Sequence, residues 1–274
     1  MINNIKKLKV GIVGCGAIGS TLARLIQKRY SNSISIRAVC DIDKAKADIL
    51  VKKINSAKVV SLPELIGLCD LVIEAASASV SFEVAQTALK RKKQVLVMSV
   101  GGVLGKEKKL FDLAEKNHTK IFFPSGAICG LDGIRALSLS RIKSITLTTT
   151  KPIAGLQGAR YLIDRGINLK GITKEKIVFK GGARKAVKAF PQNINVVAVL
   201  SLAAGGAVEP NVKIVASPFV TKNIHMIEVD SDAARLEIKC VNVPSPDNPK
   251  TSYLAILSAL AVIAGILKQE RIGN

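Results

Sequence analysis

Tryptophan is absent, and aromatic residues make up only 4% of the 274-residue chain. Proteins that stack exposed bases need aromatic faces, so this composition is poor material for reading single-stranded nucleic acid. The five cysteines (Cys15, Cys40, Cys69, Cys129 and Cys240) are odd in number and widely spaced, with no CxxC pair. That excludes a disulfide framework and a zinc-ligand spacing; no metal is expected, and reduced thiols in cytoplasm fit. Long hydrophobic runs are lacking too. The longest, Leu254 to Leu267, is interrupted by Ser258 and Gly265 and falls short of the roughly 20 residues of a membrane span. It reads as a buried helix, and no membrane partner is expected. The first seven residues lead directly into a strand pattern, so no secretory leader is read there.

Acidic residues are scarce as well, 20 against 41 Lys plus Arg, for a formal charge of +21. The lysines are spread along the chain rather than gathered in a block, which favours a solvated basic surface and an anionic substrate over nucleic acid. What is abundant is apolar: 48% of residues, enough to exclude global disorder. The length suits one large α/β domain or two modest ones.

Short β-branched runs alternate with helical stretches through the first half, the pattern of a parallel sheet covered by helices. Strands are expected at 9–13, 34–39, 58–60, 71–73, 94–98 and 120–123, with helices at 17–29, 43–55, 63–69, 80–91 and 107–116. This is a doubly wound, Rossmann-type domain over 1–131. The texture then changes: Ser144 to Thr150 alternates, as do candidates at 177–180, 212–217, 223–229 and 234–241, around one long helix from Val187 to Ala204. A second α+β domain with a mostly antiparallel sheet is expected over 132–247. Pro244 to Pro249 reads as a breaker-rich loop. Residues 248–274 are expected to form a C-terminal helix that docks between the domains.

Gly14-Cys15-Gly16-Ala17-Ile18-Gly19 stands between the first strand and the first helix. Gly14 permits a tight turn, Gly16 admits a pyrophosphate close to the backbone, and Gly19 lets helix and sheet approach; Ala17 and Ile18 open the helix whose N-terminus faces phosphate charge. Asp41, at the end of the second strand, suits the ribose hydroxyls and repels a 2′-phosphate. NAD is therefore expected, with NADP left open by Lys44 and Lys46. Glu74-Ala75-Ala76-Ser77 and Ser99-Val100-Gly101-Gly102 follow strands four and five, where small residues leave room for the nicotinamide end; equally, they are ordinary turns. Ala76 and Ser77 are taken as cofactor contacts.

The chain has only two histidines. His118 lies in a polar turn and reads as surface. His225 shares one strand face with Asn223 and Ile227; a lone strand histidine is often structural, yet this is the one imidazole of the substrate domain, and a dehydrogenase benefits from a group titrating near neutrality. Phe190 to Val196 carries amides that either cap a helix or bond a cofactor. Lys151 and Lys185 are candidate cations for substrate carboxylates, with solvated surface as the other reading.

Together and in order, Gly14 to Gly19, Ser125-Gly126-Ala127, Lys151-Pro152, Phe190 to Val196, Asn223-Ile224-His225 and Asn248 to Tyr253 resemble the L-aspartate dehydrogenase family over nearly the whole length. The resemblance implies that Ala127 and Asn193 contact the cofactor and that His225 is the active-site residue. It also implies NAD(P)-dependent oxidative deamination of L-aspartate to iminoaspartate, then oxaloacetate and ammonia, as the first step of NAD biosynthesis, in a homodimer. Two departures bear on substrate affinity and loop geometry: Thr150 stands where an arginine is expected, and Asp230-Ser231-Asp232-Ala233 replaces a glycine-containing turn. Rival readings are a homoserine- or sugar-dehydrogenase-like enzyme of the same plan, or a nucleotide-sensing DNA-binding protein. The sugar pattern wants an acid where Thr150 stands, and no helix-turn-helix is read outside the nucleotide domain.

Overall fold

The computed structural model describes residues 7–54, 57–190, 194–206, 208–246 and 248–268. The chain divides into two compact units, Met1–Pro124 with Ile256–Ile272, and Ser125–Ala255 with the last two residues.

In the first unit the expected alternation is present: β1 (Leu8–Val13), α1 (Ala17–Tyr30), β2 (Ile34–Cys40), α2 (Lys44–Ile54), β3 (Lys58–Val59), α3 (Leu62–Leu68), β4 (Leu71–Glu74), α4 (Ser81–Lys90), β5 (Gln94–Val97), α5 (Glu107–Lys116) and β6 (Ile121–Phe122). The six strands are parallel in the order β3-β2-β1-β4-β5-β6. Every residue of β4 is buried, as expected of a strand covered on both faces. Helix α1 turns Leu22, Leu25 and Ile26 onto the sheet and ends in Lys28 and Arg29, cations that complement the helix dipole. The chain reverses its direction of winding between β1 and β4. In such sheets ligands bind beyond the strand carboxyl ends at that switch.

The second unit contains α6 (Leu131–Leu137), β7 (Ile142–Pro152), α7 (Arg160–Asp164), β8 (Lys176–Gly182), α8 (Ala183–Ala189), α9 (Ile194–Ala203), β9 (Asn211–Ser217), β10 (Ile224–Ser231), β11 (Arg235–Val241), β12 (Pro244–Ser245) and β13 (Asn248–Ser252). Its five-stranded sheet runs β11-β10-β7-β9-β8. All pairings are antiparallel except β7 with β9. Along β7 the buried residues Ile145, Leu147, Thr149 and Lys151 alternate with half-buried threonines, the period-two pattern of a strand packed on one face.

Two expectations are corrected here. The single helix from Val187 to Ala204 is two helices, α8 and α9, with α8 capped by Phe190 at φ −134° and ψ 76°. A residue before proline is pushed out of the α region, and Pro191 follows. The Phe190 ring is instead buried, 5.1 Å from Tyr161 and 5.9 Å from Phe179 between centroids. The segment from Pro244 to Pro249 is not merely a loop, because β12 and β13 pair in it. Proline is tolerated there since each strand is short and offers an outer edge.

Helix α10 (Tyr253–Leu267) is apolar all round and buries Ile256, Ala259, Leu260 and Ile263; from Ile256 it groups with the first unit. The expected division at 131 falls at the start of α6, past the end of the first unit at Pro124. Among the described residues no helix is long and apolar enough to cross a membrane.

Candidate functional site

The turn between β1 and α1 is built from backbone. Gly14 has φ +96°, and a Cβ there would lie 2.5 Å from the Ala75 carbonyl. A Cβ on Gly19 would sit 1.9 Å from the Gly14 oxygen, so helix and loop close only because both residues lack one. Gly16 is different: a Cβ there meets nothing within 4 Å. No side chain caps the first turn of α1, which leaves Ala17, Ile18 and Gly19 at a helix N-terminus suited to phosphate charge. A glycine facing open space beside an uncapped helix start fits a dinucleotide pyrophosphate.

Asp41 follows β2 and reaches back to this loop. Its carboxylate accepts the Cys15 N–H at 2.6 Å and the Asp43 N–H at 2.8 Å. Burial, with Asp41 and Cys40 close by, pushes the Cys15 thiol up to about 12, so it is inert at neutral pH. Lys46, one of the two lysines that left NADP open, pairs with Asp43 at 3.1 Å. Beside Asp41, Ile42 stands wholly in solvent. The sequence gives an exposed isoleucine no distinguishing mark, so this candidate was not foreseen.

Past β4, Ala76 and Ser77 are exposed, and the Ser77 hydroxyl pairs with Ser79 at 2.8 Å. Beneath them Glu74 is fully buried and accepts the N–H of Ala76 and of Ser99, both at 2.9 Å. It therefore ties the turn after β4 to the turn after β5. Burial pushes its carboxyl above the usual range, against the pull of those donors. An acid ending an otherwise apolar strand was the available signal.

In the second unit the register assembles a polar row. His225 on β10 stands opposite Thr149 on β7 and Cys240 on β11. Directly opposed residues share a face, and Lys151 lies two residues along β7 on that same face; Asn223 immediately precedes β10 and is exposed. The Thr149 Oγ1 and His225 Nδ1 are 3.0 Å apart, both side chains buried. Burial, reinforced by the positive charge of Lys151, pulls the imidazole down to about 4, well below the near-neutral titration expected of this histidine from the sequence. Burial likewise lowers Lys151 from the ordinary ammonium value. Lys151 is 6% exposed, and among the described residues no carboxylate pairs with it. A buried cation without a counter-ion is costly, and a bound carboxylate relieves that cost.

Asn242, absent from the sequence expectations, closes one end of the row. Its Nδ2 donates to the Ala127 carbonyl at 3.0 Å, its Oδ1 accepts the Ser252 hydroxyl at 2.5 Å, and its backbone N–H meets the Asn223 carbonyl at 2.9 Å. Thus Ala127, Asn223, Lys151 and His225 are gathered by one sheet. Lys185 is not among them and lies exposed on α8. Asn193 lies outside the described residues. His118 is exposed in a turn at φ 51°, as expected. A separate cavity of about 600 Å³, lined by Ile153, Leu156, Leu162 and Leu169 among others, includes no residue of the row.

Residues 132–266 match the family described as aspartate dehydrogenase, C-terminal. The L-aspartate dehydrogenase of Methanosarcina mazei is 44% identical, covering 97% of this chain and all of its own length. The chain belongs to the L-aspartate dehydrogenase family. Its first unit, over residues 14–124, matches the NAD-binding domain described for homoserine dehydrogenase. The crystal structure of aspartate dehydrogenase from Thermotoga maritima superposes with a TM-score of 0.73 at 25% identity, covering 97% of this chain and 99% of that one. A homoserine dehydrogenase from Thiobacillus denitrificans shares the fold alone, at TM-score 0.65 and 11% identity over 96% of this chain and 73% of its own. The chain is thus an NAD(P)-dependent oxidoreductase with an N-terminal Rossmann domain.

Proposed function

We propose that the enzyme oxidises L-aspartate with NAD to iminoaspartate, which hydrolyses to oxaloacetate and ammonia. The observation that carries this reading is a lysine, Lys151, buried on the same sheet face as the buried His225–Thr149 pair.

Lys151 holds a substrate carboxylate, a charge-assisted contact made strong by exclusion of water. Asn223, at the solvent end of the row, supplies a second polar contact. His225 takes a proton from the substrate ammonium, or from water attacking the imine carbon. A base at Nε2 requires Nδ1–H to donate to the Thr149 hydroxyl, so Thr149 sets both the tautomer and the plane of the ring. The bound nicotinamide supplies the acceptor for the hydride that leaves Cα.

On the first unit, Gly14, Gly16, Ala17, Ile18 and Gly19 cradle the pyrophosphate and Asp41 takes the ribose hydroxyls. Ile42 offers its exposed face to the adenine. Ala76 and Ser77 flank the nicotinamide end; the family resemblance separately implies cofactor contacts for Ala127 and Asn193, residues of the second unit. A carboxylate at Asp41 and a Lys46 already paired with Asp43 favour NAD over NADP. We further propose a cytoplasmic homodimer that supplies iminoaspartate to NAD biosynthesis.

The test is a reduction assay with NAD and NADP against aspartate, glutamate, homoserine and a sugar panel. Turnover is expected with aspartate and NAD; turnover with homoserine or a sugar but not aspartate would overturn the proposal.

A further inference from the structure

We propose that Cys129 and Cys240 form a redox modification site, a dithiol that low-molecular-weight disulfides close into an intrachain disulfide. The two Sγ atoms are 3.3 Å apart although the residues lie 111 positions apart in sequence. A disulfide bond is about 2.0 Å long, so closure asks the sulfurs to approach by roughly 1 Å. Cys129 is exposed and Cys240 buried, which assigns the two roles of thiol–disulfide exchange. Cys129, within reach of solvent, attacks one sulfur of the reagent and releases its other half as a thiol. Cys240 then attacks the Cys129 sulfur, and the second half of the reagent leaves. Two protons and two electrons pass from the cysteines to the reagent, which ends as two thiols. Burial beside Cys129 pushes the Cys240 thiol up to about 11, consistent with Cys240 as the resolving rather than the attacking partner.

The remaining cysteines are not arranged this way. Burial pushes Cys15 and Cys69 each up to about 12. Cys15 Sγ faces the Cys40 carbonyl oxygen at 4.0 Å rather than a second sulfur.

The bond would reach the polar row. Cys240 stands opposite His225 in the β10–β11 register. The segment carrying Cys129 already rests on β11: a Cβ on Gly130 would lie 2.4 Å from Ile238 Cδ1, and the Ala127 carbonyl is held by Asn242 at 3.0 Å. Closure draws this segment about 1 Å nearer, shifting Ala127 and the surroundings of the imidazole. That the closed form turns over aspartate more slowly, by about tenfold to a hundredfold, rests on the proposed function.

The experiment exposes the full-length enzyme, Cys129→Ser and Cys240→Ser to oxidised glutathione and measures intact mass. The wild type is expected to lose two hydrogen masses without retaining glutathione, and to recover with dithiothreitol. Cys240→Ser is expected to keep one glutathione on Cys129, and Cys129→Ser to do neither. A wild type that keeps its adduct, or is unchanged, overturns the site. Nitrogen-15 spectra of the two histidine rings read the structural reach independently of activity: the His225 signals should move on oxidation and those of His118 stay. An unmoved His225 ring in fully oxidised protein, or undiminished turnover by an otherwise active enzyme, overturns the link to the row.

Discussion

The nucleotide loop of the first unit comes from six consecutive residues, Gly14 to Gly19, whose contribution is mostly backbone and the absence of side chains. The polar row of the second unit comes from side chains on three strands, with Thr149, His225 and Cys240 placed opposite one another by register alone. At Gly14 and Gly19 the loop has no room for a Cβ, while Gly16 faces open space. The row is buried at Thr149, Lys151, His225 and Cys240 and depends on which charges and hydrogen-bonding groups its side chains carry.

Removing the imidazole separates the two regions most sharply. His225→Ala is expected to lower kcat about 10²- to 10⁴-fold while the dissociation constant for NADH, read by fluorescence titration, stays within about twofold. Equal loss of nucleotide binding would mean that the row acts through the fold rather than the chemistry. Lys151→Met comes next. Aspartate KM should rise roughly ten- to a hundredfold, whereas the midpoint of urea unfolding at neutral pH should hold or rise, because a buried charge with no ion-pair partner among the described residues has been replaced by an apolar chain. A lower midpoint would show that Lys151 is paired in the native protein.

That contrast also marks what was legible in the sequence. The glycine spacing, the strand before it and the helix after it are contiguous, so the Rossmann unit could be read directly. His225, Lys151 and Asn223 were readable as candidates, yet not as neighbours, because a strand's face is visible in its alternation and its partner strand is not. Thr149 illustrates the gap: one of three consecutive threonines, it is singled out only by standing opposite His225. Phe190 shows the converse, since the proline rule applied to Pro191 splits the expected helix.

Thr149→Val should reduce kcat about tenfold, a hydrogen bond's worth, with aspartate KM nearly unchanged, and Thr149→Ser should restore it. Loss in Thr149→Ser with Thr149→Val unimpaired would point to packing of the methyl group instead. On the loop, Asp41→Ser is expected to weaken NAD binding about tenfold and narrow its advantage over NADP; an unchanged preference would remove Asp41 from the ribose site.

The neutral imidazole also has a thermodynamic signature. Its native pKa of about 4 lies below the ordinary 6.5, so the unfolded chain binds the extra proton and native stability falls as pH drops from about 6.5 towards 4. The full effect is about 3 kcal/mol, and His225→Gln should flatten that part of the profile.

The most direct measurement is the pH titration of the His225 ring by nitrogen-15 spectroscopy in the free enzyme, repeated with Lys151→Met. The expected result is an imidazole neutral at pH 6, protonating only near 4, with its midpoint raised once the lysine charge is gone. An ordinary midpoint near 6.5, indifferent to Lys151, would contradict the picture of a buried base beside a carboxylate-binding cation.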